Sequence, residues 1–194
     1  MSLSGMDALA GVDWRRAGMV SIDGATVVLG DPEAFLSWRA KAAPFPVMHE
    51  RAWVLEEKLA FYITMDDLDC PVEKGFAGAD VVAVRVEQVN DIAELAGSWS
   101  EIGKLSLDSP CCVVIDPTLP IPDQALELLR SSPTEDTDLC TATGHIVGAL
   151  LSATVGSYLV EVFSTADDTL GVRLRVRPAF LGGNLTTKIT PKGI

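Results

Sequence analysis

Two histidines, His49 and His145, are all the imidazole this chain of 194 residues contains, and its Lys and Arg total only 15 against 27 Asp and Glu. A formal net charge of -12 would repel a nucleic-acid backbone or an anionic membrane surface, so neither is expected as a partner. Long apolar runs are missing too: none reaches the roughly 18 residues that a spanning helix needs. The four cysteines, Cys70, Cys111, Cys112 and Cys140, show no CxxC spacing and no Cys/His ligand pattern, which leaves no basis for a structural zinc site. No GxSxG elbow and no GK[ST] phosphate loop occurs. The one Gly-Gly pair, Gly182-Gly183, continues into Asn184-Leu185 and reads as a turn. No metal or cofactor is expected from these patterns.

The N-terminal stretch lacks the order of basic, apolar and small-residue regions that marks a secretion signal. Met1 to Gly5 reads either as native sequence or as a cloning leftover with Met6 as the native start. A cytoplasmic location with reduced thiols follows as the expectation. All four cysteines are expected to behave as small buried apolar residues, with adjacent Cys111 and Cys112 on opposite faces of a strand, one in the core and one outside it.

What the chain does contain is an internal echo. Gly18 to Pro32 (GMVSIDGATVVLGDP) aligns without a gap on Gly103 to Pro117 (GKLSLDSPCCVVIDP) at an offset of 85. Gly18/Gly103, Ser21/Ser106, Asp23/Asp108, Val28/Val113, Asp31/Asp116 and Pro32/Pro117 are identical pairs. Six identities in fifteen, where composition alone supplies about one, argue for duplication. A looser match joins Leu59 to Asp67 with Val160 to Asp168, each followed by another strand, VVAVRV at Val81 to Val86 and VRLRVR at Val172 to Arg177. The division implied is residues 1–97 for a first β-rich unit and 98–194 for a second, with one shared core.

Within a unit, Val20-Ser21-Ile22 alternates like a half-buried strand, and Asp23-Gly24 carries the signal of a two-residue hairpin turn leading back into Thr26 to Leu29. Asp31-Pro32 then supplies an N-cap followed by a first-turn proline, so a helix is expected over Glu33 to Ala43. Its counterpart is delayed to Asp123 to Arg130, with Leu126 and Leu129 on the apolar stripe. Asn90 to Trp99 reads as a helix or a linker, and Tyr158 to Ser164 pairs with Val172 to Arg177 as a hairpin around Asp167-Asp168. The fold class expected is β-rich α+β: two tandem units packed as a pseudo-symmetric sandwich or partly open barrel, with short helices at its edges.

The strands ending in Asp-Pro (TVVLGDP, CVVIDP), with the later GSYLVEVF strand, resemble an uncharacterised bacterial family of unknown function. Its members carry a hydrophobic strand ending in Asp-Pro and then a Gly-x-Tyr-x-Val strand. Gly156 and Tyr158 fit that pattern in the second unit; Ala60 and Tyr62 hold the nearest places in the first, where the glycine is missing. The resemblance implies a β-rich cytosolic bacterial protein and brings no catalytic residue with it.

Three functional readings follow. The first is a non-catalytic protein-interaction or regulatory module, of inhibitor or immunity type, whose acidic surface suits a basic protein partner. The second is a hydrolase or metal-dependent enzyme in which the axis of symmetry brings Asp31 and Asp116 together. Against it stands the simpler role of Asp-Pro as a helix cap. The third is a binder of a small anionic ligand through Arg173, Arg175 and Arg177, which share one face of a strand; the competing role for that stripe is pairing with acids on the sheet. The acidic tips Asp66-Asp67-Leu68-Asp69 and Asp167-Asp168 read as turns, and His145 as a surface residue. The sequence leaves the oligomeric state open.

Overall fold

The computed structural model describes residues 11–23, 26–41, 51–63, 68–87, 92–131, 133–141 and 143–177. His49, Gly24, Asp66-Asp67, Gly182-Gly183, Leu185 and the first five residues, all discussed above, lie outside them. Twelve strands among the described residues form two six-stranded antiparallel sheets. Sheet A runs β1 (Asp13–Ile22), β5 (Leu68–Ala77), β6 (Asp80–Glu87), β12 (Thr169–Val176), β11 (Gly156–Ser164), β7 (Ser98–Leu107). Sheet B runs β3 (Ala52–Leu55), β4 (Leu59–Ile63), β2 (Thr26–Gly30), β8 (Cys111–Ile115), β10 (Ile146–Ser152), β9 (Thr137–Cys140). Each sheet therefore takes three strands from before residue 97 and three from after it. Helices α1 (Pro32–Ala40) and α2 (Asp123–Ser131) both pack on sheet B.

The sheets face each other across one apolar layer. Alternating side chains fill it: Val20 and Ile22 of β1, Val82, Val84 and Val86 of β6, Tyr158, Val160 and Val162 of β11, Val172, Leu174 and Val176 of β12. Sheet B contributes Val27, Leu29, Cys112 and Val114 from its two central strands. The other faces of β2 and β8 carry Val28, Cys111, Val113 and Ile115, which pack against Phe35 of α1 and Ala125 and Leu129 of α2. Both central strands are thus buried on both faces. That is why TVVLG and CCVVI are unbroken apolar runs, whereas VRLRV of β12 in sheet A alternates apolar and charged residues. It also corrects the expectation for the vicinal cysteines: they do point to opposite faces, and both faces are core.

The expected β1–β2 hairpin does not form. β1 pairs only with β5 and lies in sheet A, whereas β2 pairs with β4 and β8 in sheet B. Asp23 begins a corner at which the chain changes sheets, and Asp108 does the same between β7 and β8. The match of Leu59–Ile63 with Val160–Ser164 falls with it, since β4 belongs to sheet B and β11 to sheet A. The β11–β12 hairpin forms as expected, with Tyr158 opposite Val176 and Val162 opposite Val172. Of the span Asn90 to Trp99, the described residues 92–99 form neither a full helix nor a plain linker. A 3-10 turn at Ile92–Glu94 leads into β7, and buried Ile92 sits over Gly171.

The repeated glycines mark where the sheets close on each other. A Cβ on Gly18 would meet Ala149 and Asp138 at 3.2 Å, and one on Gly103 would meet Val54 at 2.8 Å. β1 lies there against β10 and β7 against β3, so a side chain at Gly103 would force Val54 to move and one at Gly18 would press on Ala149 and Asp138.

Candidate functional site

Asp31 and Asp116 are among the most buried charged residues, 3% and 0% exposed. They follow β2 and β8, which are paired antiparallel with Val28 opposite Ile115 and Gly30 opposite Val113. In that register the two aspartates stand at opposite ends of the strand pair, four residue steps or about 13 Å apart along it. The structure does not bring them together, so the paired carboxylates of the enzyme reading are not assembled by this arrangement.

Each aspartate instead makes two sets of contacts. The Asp31 Oδ1 accepts the amides of Glu33 and Ala34 at 3.0 and 3.1 Å, which caps α1 as Asp-Pro suggested. Its Oδ2 accepts the amides of Asp108 and Ser109 at 2.9 and 3.1 Å, in the corner between β7 and β8. Asp116 reverses the direction. Its Oδ2 accepts the amide of Asp23 at 2.8 Å, in the corner between β1 and β2, and its Oδ1 accepts the amide and hydroxyl of Thr118. Thr118 stands in place of a helix there, because α2 starts only at Asp123. Each buried carboxylate therefore holds the sheet-to-sheet corner of the opposite part of the chain. Lys58 adds an ion pair to exposed Asp108 at 2.6 Å, and its carbonyl accepts the Asp31 amide.

The arginine stripe lies on the outer face of sheet A, and it is not open. The Arg173 Nε donates to Glu161 Oε2 at 2.7 Å, and Arg175 grips the same carboxylate through Nε and Nη2. Arg173 is 5% exposed, with its guanidinium 4.2 Å from the centre of the Trp99 ring. These two guanidinium groups hold the Glu161 carboxyl below its ordinary range even though burial pushes the other way. Arg177, just beyond β12, donates its amide to Ser157. The charge that suggested an anion site is thus met within the sheet at Arg173 and Arg175.

Sequence reasoning missed the partner of that cluster. Arg85 lies directly opposite Arg173 in the β6–β12 ladder. It pairs with Glu73 at 2.6 Å and Glu87 at 3.2 Å, and stacks 4.0 Å from the Trp14 ring centre. A Trp–Arg–Glu cluster therefore occurs twice on this face. The signal was legible: Trp14 and Trp99 share the offset of 85 that relates Gly18 to Gly103.

No known family, curated protein or solved structure matches this chain.

The remaining candidates fall at the surface or in turns. Asp167-Asp168 closes the β11–β12 turn: Thr165 Oγ1 accepts both of their amides, and Asp168 pairs with Arg51 at 3.3 Å. His145 is exposed in the turn before β10, where its amide donates to Thr141 Oγ1. Among the described residues no group of three His, Cys, Asp or Glu is placed to hold a metal ion. Cys70, Cys111 and Cys112 are buried, and burial pushes the Cys70 and Cys112 thiols up to about 12. Cys140 is exposed, which corrects the expectation that all four would be interior.

Proposed function

We propose that the chain is two diverged copies of one β-rich unit, residues 1–97 and 98–194, that together form a non-catalytic protein-interaction or regulatory module of the bacterial cytosol. On this reading it is of inhibitor type and binds a basic partner. Strand order supports the duplication. Reading each sheet inward from its two edges pairs β1 with β7, β5 with β11 and β6 with β12, then β3 with β9, β4 with β10 and β2 with β8. A pseudo-two-fold axis passing between β2 and β8, and between β6 and β12, accounts for all six pairs. It also relates Glu73 to Glu161 and Arg85 to Arg173.

The observation that carries the functional reading is the reciprocal grip of Asp31 and Asp116. The repeated motif gives its buried carboxylates to the other unit's backbone, which is the role of an internal fastening. Acid is displayed outward, as at Glu33, Glu94, Glu101 and Asp123, which are exposed. An acidic surface steers association with a basic protein and weakens as salt rises. The protein immobilised and exposed to lysate is expected to retain a basic partner at low ionic strength and to release it at high. No partner retained at low ionic strength would end this reading. The duplication has its own test: a protease site inserted after exposed Leu95 should yield, on cleavage, two halves that still elute and melt as one body.

A further inference from the structure

We infer that the outward edge of β7 is where the partner docks, by adding one extended strand to sheet A, and that this strand carries Lys or Arg. This rests on the interaction reading above and gives it a place and a mode.

The two sheets leave four edge strands: β1, β7, β3 and β9. Edge backbone invites pairing with another chain, and folded proteins guard it by shortness or by charge. β3 and β9 have four residues each. β1 has ten and bears three exposed charges, Asp13, Arg15 and Arg16. Arg15 pairs with Asp13 at 2.6 Å and lies 4.8 Å from the centre of the Phe76 ring. β7 also has ten residues, but at the offset of 85 it carries Ser98, Ser100 and Glu101 in those places. Two of the three guarding charges are therefore serines. Among the described residues, the outward side of β7 makes one backbone bond, from the Ser106 amide to the Glu57 carbonyl at 2.8 Å. Ahead of it, residues 98–104 are exposed except for half-buried Trp99 and Gly103. The ladder with β11 skips Ile102, as the one between β1 and β5 skips Ala17, and Ile102 is 37% exposed. Leu95, three residues before the strand, is 40% exposed. Apolar surface thus gathers at the one long edge with the fewest charges.

One row of cross-strand neighbours selects the occupant. At the β1 edge, Arg16 stands opposite Glu73, which stands opposite Arg85. At the β7 edge, Glu101 stands opposite Glu161, which stands opposite Arg173. The edge base of one row is an edge acid in the other, and like charges directly opposite each other repel. Glu161 is already held by Arg173 and Arg175, whereas exposed Glu101 has no ion pair among the described residues. A Lys or Arg on an added strand, next to Glu101, restores the alternation that Arg16 gives the other edge. Main-chain bonds along residues 98–104 supply affinity, and the cation supplies selection. A second copy of the chain fits less well, because antiparallel pairing of two such stretches about their midpoint sets Glu101 against Glu101.

The probe is a fluorescein-labelled peptide of about eight residues alternating lysine and valine, beside the same peptide N-methylated along its backbone. Methylation keeps the charge and removes the donors that strand pairing needs. Binding is followed by anisotropy at low and high salt, and the contact surface by amide chemical-shift mapping. The expected result is salt-sensitive binding of the first peptide alone, with the largest shifts at Ser98, Ser100, Glu101 and Ile102. Ser100→Arg, which copies Arg15 of β1, and Glu101→Lys should each raise the Kd about tenfold. Asp80→Lys, at the start of β6, should leave it unchanged. All three positions are exposed, so each variant stays informative if another proves unstable. Equal binding by both peptides, equal binding by all three variants, shifts centred elsewhere, or no binding at low salt would each overturn the assignment. So would a dimer of the protein that Ser100→Arg dissolves, since the edge would then belong to a second copy. The pull-down described above can still succeed in those cases, which separates failure of the edge from failure of the interaction reading.

Discussion

Sheet B and sheet A meet the same demand, an outer face, in opposite ways. Sheet B covers its outer face with α1 and α2 and fills it with Val28, Phe61, Val113 and Ile115. Sheet A has no α-helix on its outer face among the described residues, only the 3-10 turn that sets Ile92 over Gly171, and builds two Trp–Arg–Glu clusters into it. Cover permits continuous apolar strands such as CCVVI; without it, alternation such as VRLRV is required, and the outward residues pair with each other. The same contrast assigns the charged residues. Carboxylates at the ends of the covered strands reach backbone amides, whereas those on the uncovered sheet reach arginines.

The sharpest way to break the contrast is to remove a carboxylate at the covered sheet. Asp116→Ala leaves the amides of Asp23 and Thr118 without their acceptor next to a fully buried site, and should cost about 4 kcal/mol in urea unfolding. Asp31→Ala loses the α1 cap together with two corner amides, about 3 kcal/mol. The Asn variants retain one acceptor oxygen and should recover part of the loss. Unfolding midpoints that match wild type for both Ala variants would show that the corners hold without this grip.

The uncovered sheet should give at most as much as Asp31→Ala. Glu161→Gln strips Arg173 and Arg175 of a shared carboxylate that is 8% exposed, at a cost of about 3 kcal/mol. Its counterpart Glu73→Gln, 26% exposed and facing one arginine, should cost about 1 kcal/mol. Equal effects at Glu161 and Glu73 would mean that burial does not distinguish the two clusters.

Much of this was legible in the chain and some was not. The repeated Asp-Pro announced a cap, and at α1 it is one. The offset of 85 marked Gly18 and Gly103, whose reason is the close approach of the two sheets. What local signals could not supply was pairing. Asp23-Gly24 carries the chemistry of a tight turn, and a turn of that kind serves a corner between sheets as well as a hairpin within one. For the same reason Asp31 and Asp116 could be seen to recur but not to stand at opposite ends of β2 and β8, since antiparallel register sets that distance. Arg173 and Arg175 share a face, as alternation required. Their common carboxylate lies on a neighbouring strand, where spacing along one strand says nothing of it.

Acid sharpens the comparison further. The Glu161 carboxyl titrates below its ordinary value near 4.5, so its ion pairs add stability that is complete above that pH. That stability drains away as pH falls from there through the lower folded value. Unfolding measured as a function of pH should therefore decline more steeply for wild type than for Glu161→Gln below about 4.5, and in parallel above it. Parallel curves throughout would remove Glu161 from the account of acid sensitivity.

The thiols give the smallest effect on stability and the cleanest readout of layering. Cys70 and Cys112 face the layer between the sheets and Cys111 faces the helices, so three of the four are interior. Burial raises all three thiols, with nearby carboxylates adding to it at each, so little thiolate forms near neutral pH and the sulfur is screened from reagent besides. Cys140 ends edge strand β9 and is exposed. Alkylation of the native protein at mildly alkaline pH should label Cys140 promptly and the others only on the timescale of unfolding, whereas denaturant should release all four at once. Prompt labelling of Cys111 alone beside Cys140 would show that the helices lift from sheet B while the sheets stay closed. The cover that lets β8 be apolar on both faces would then be the looser of its two layers, on the side where α1 and α2 pack.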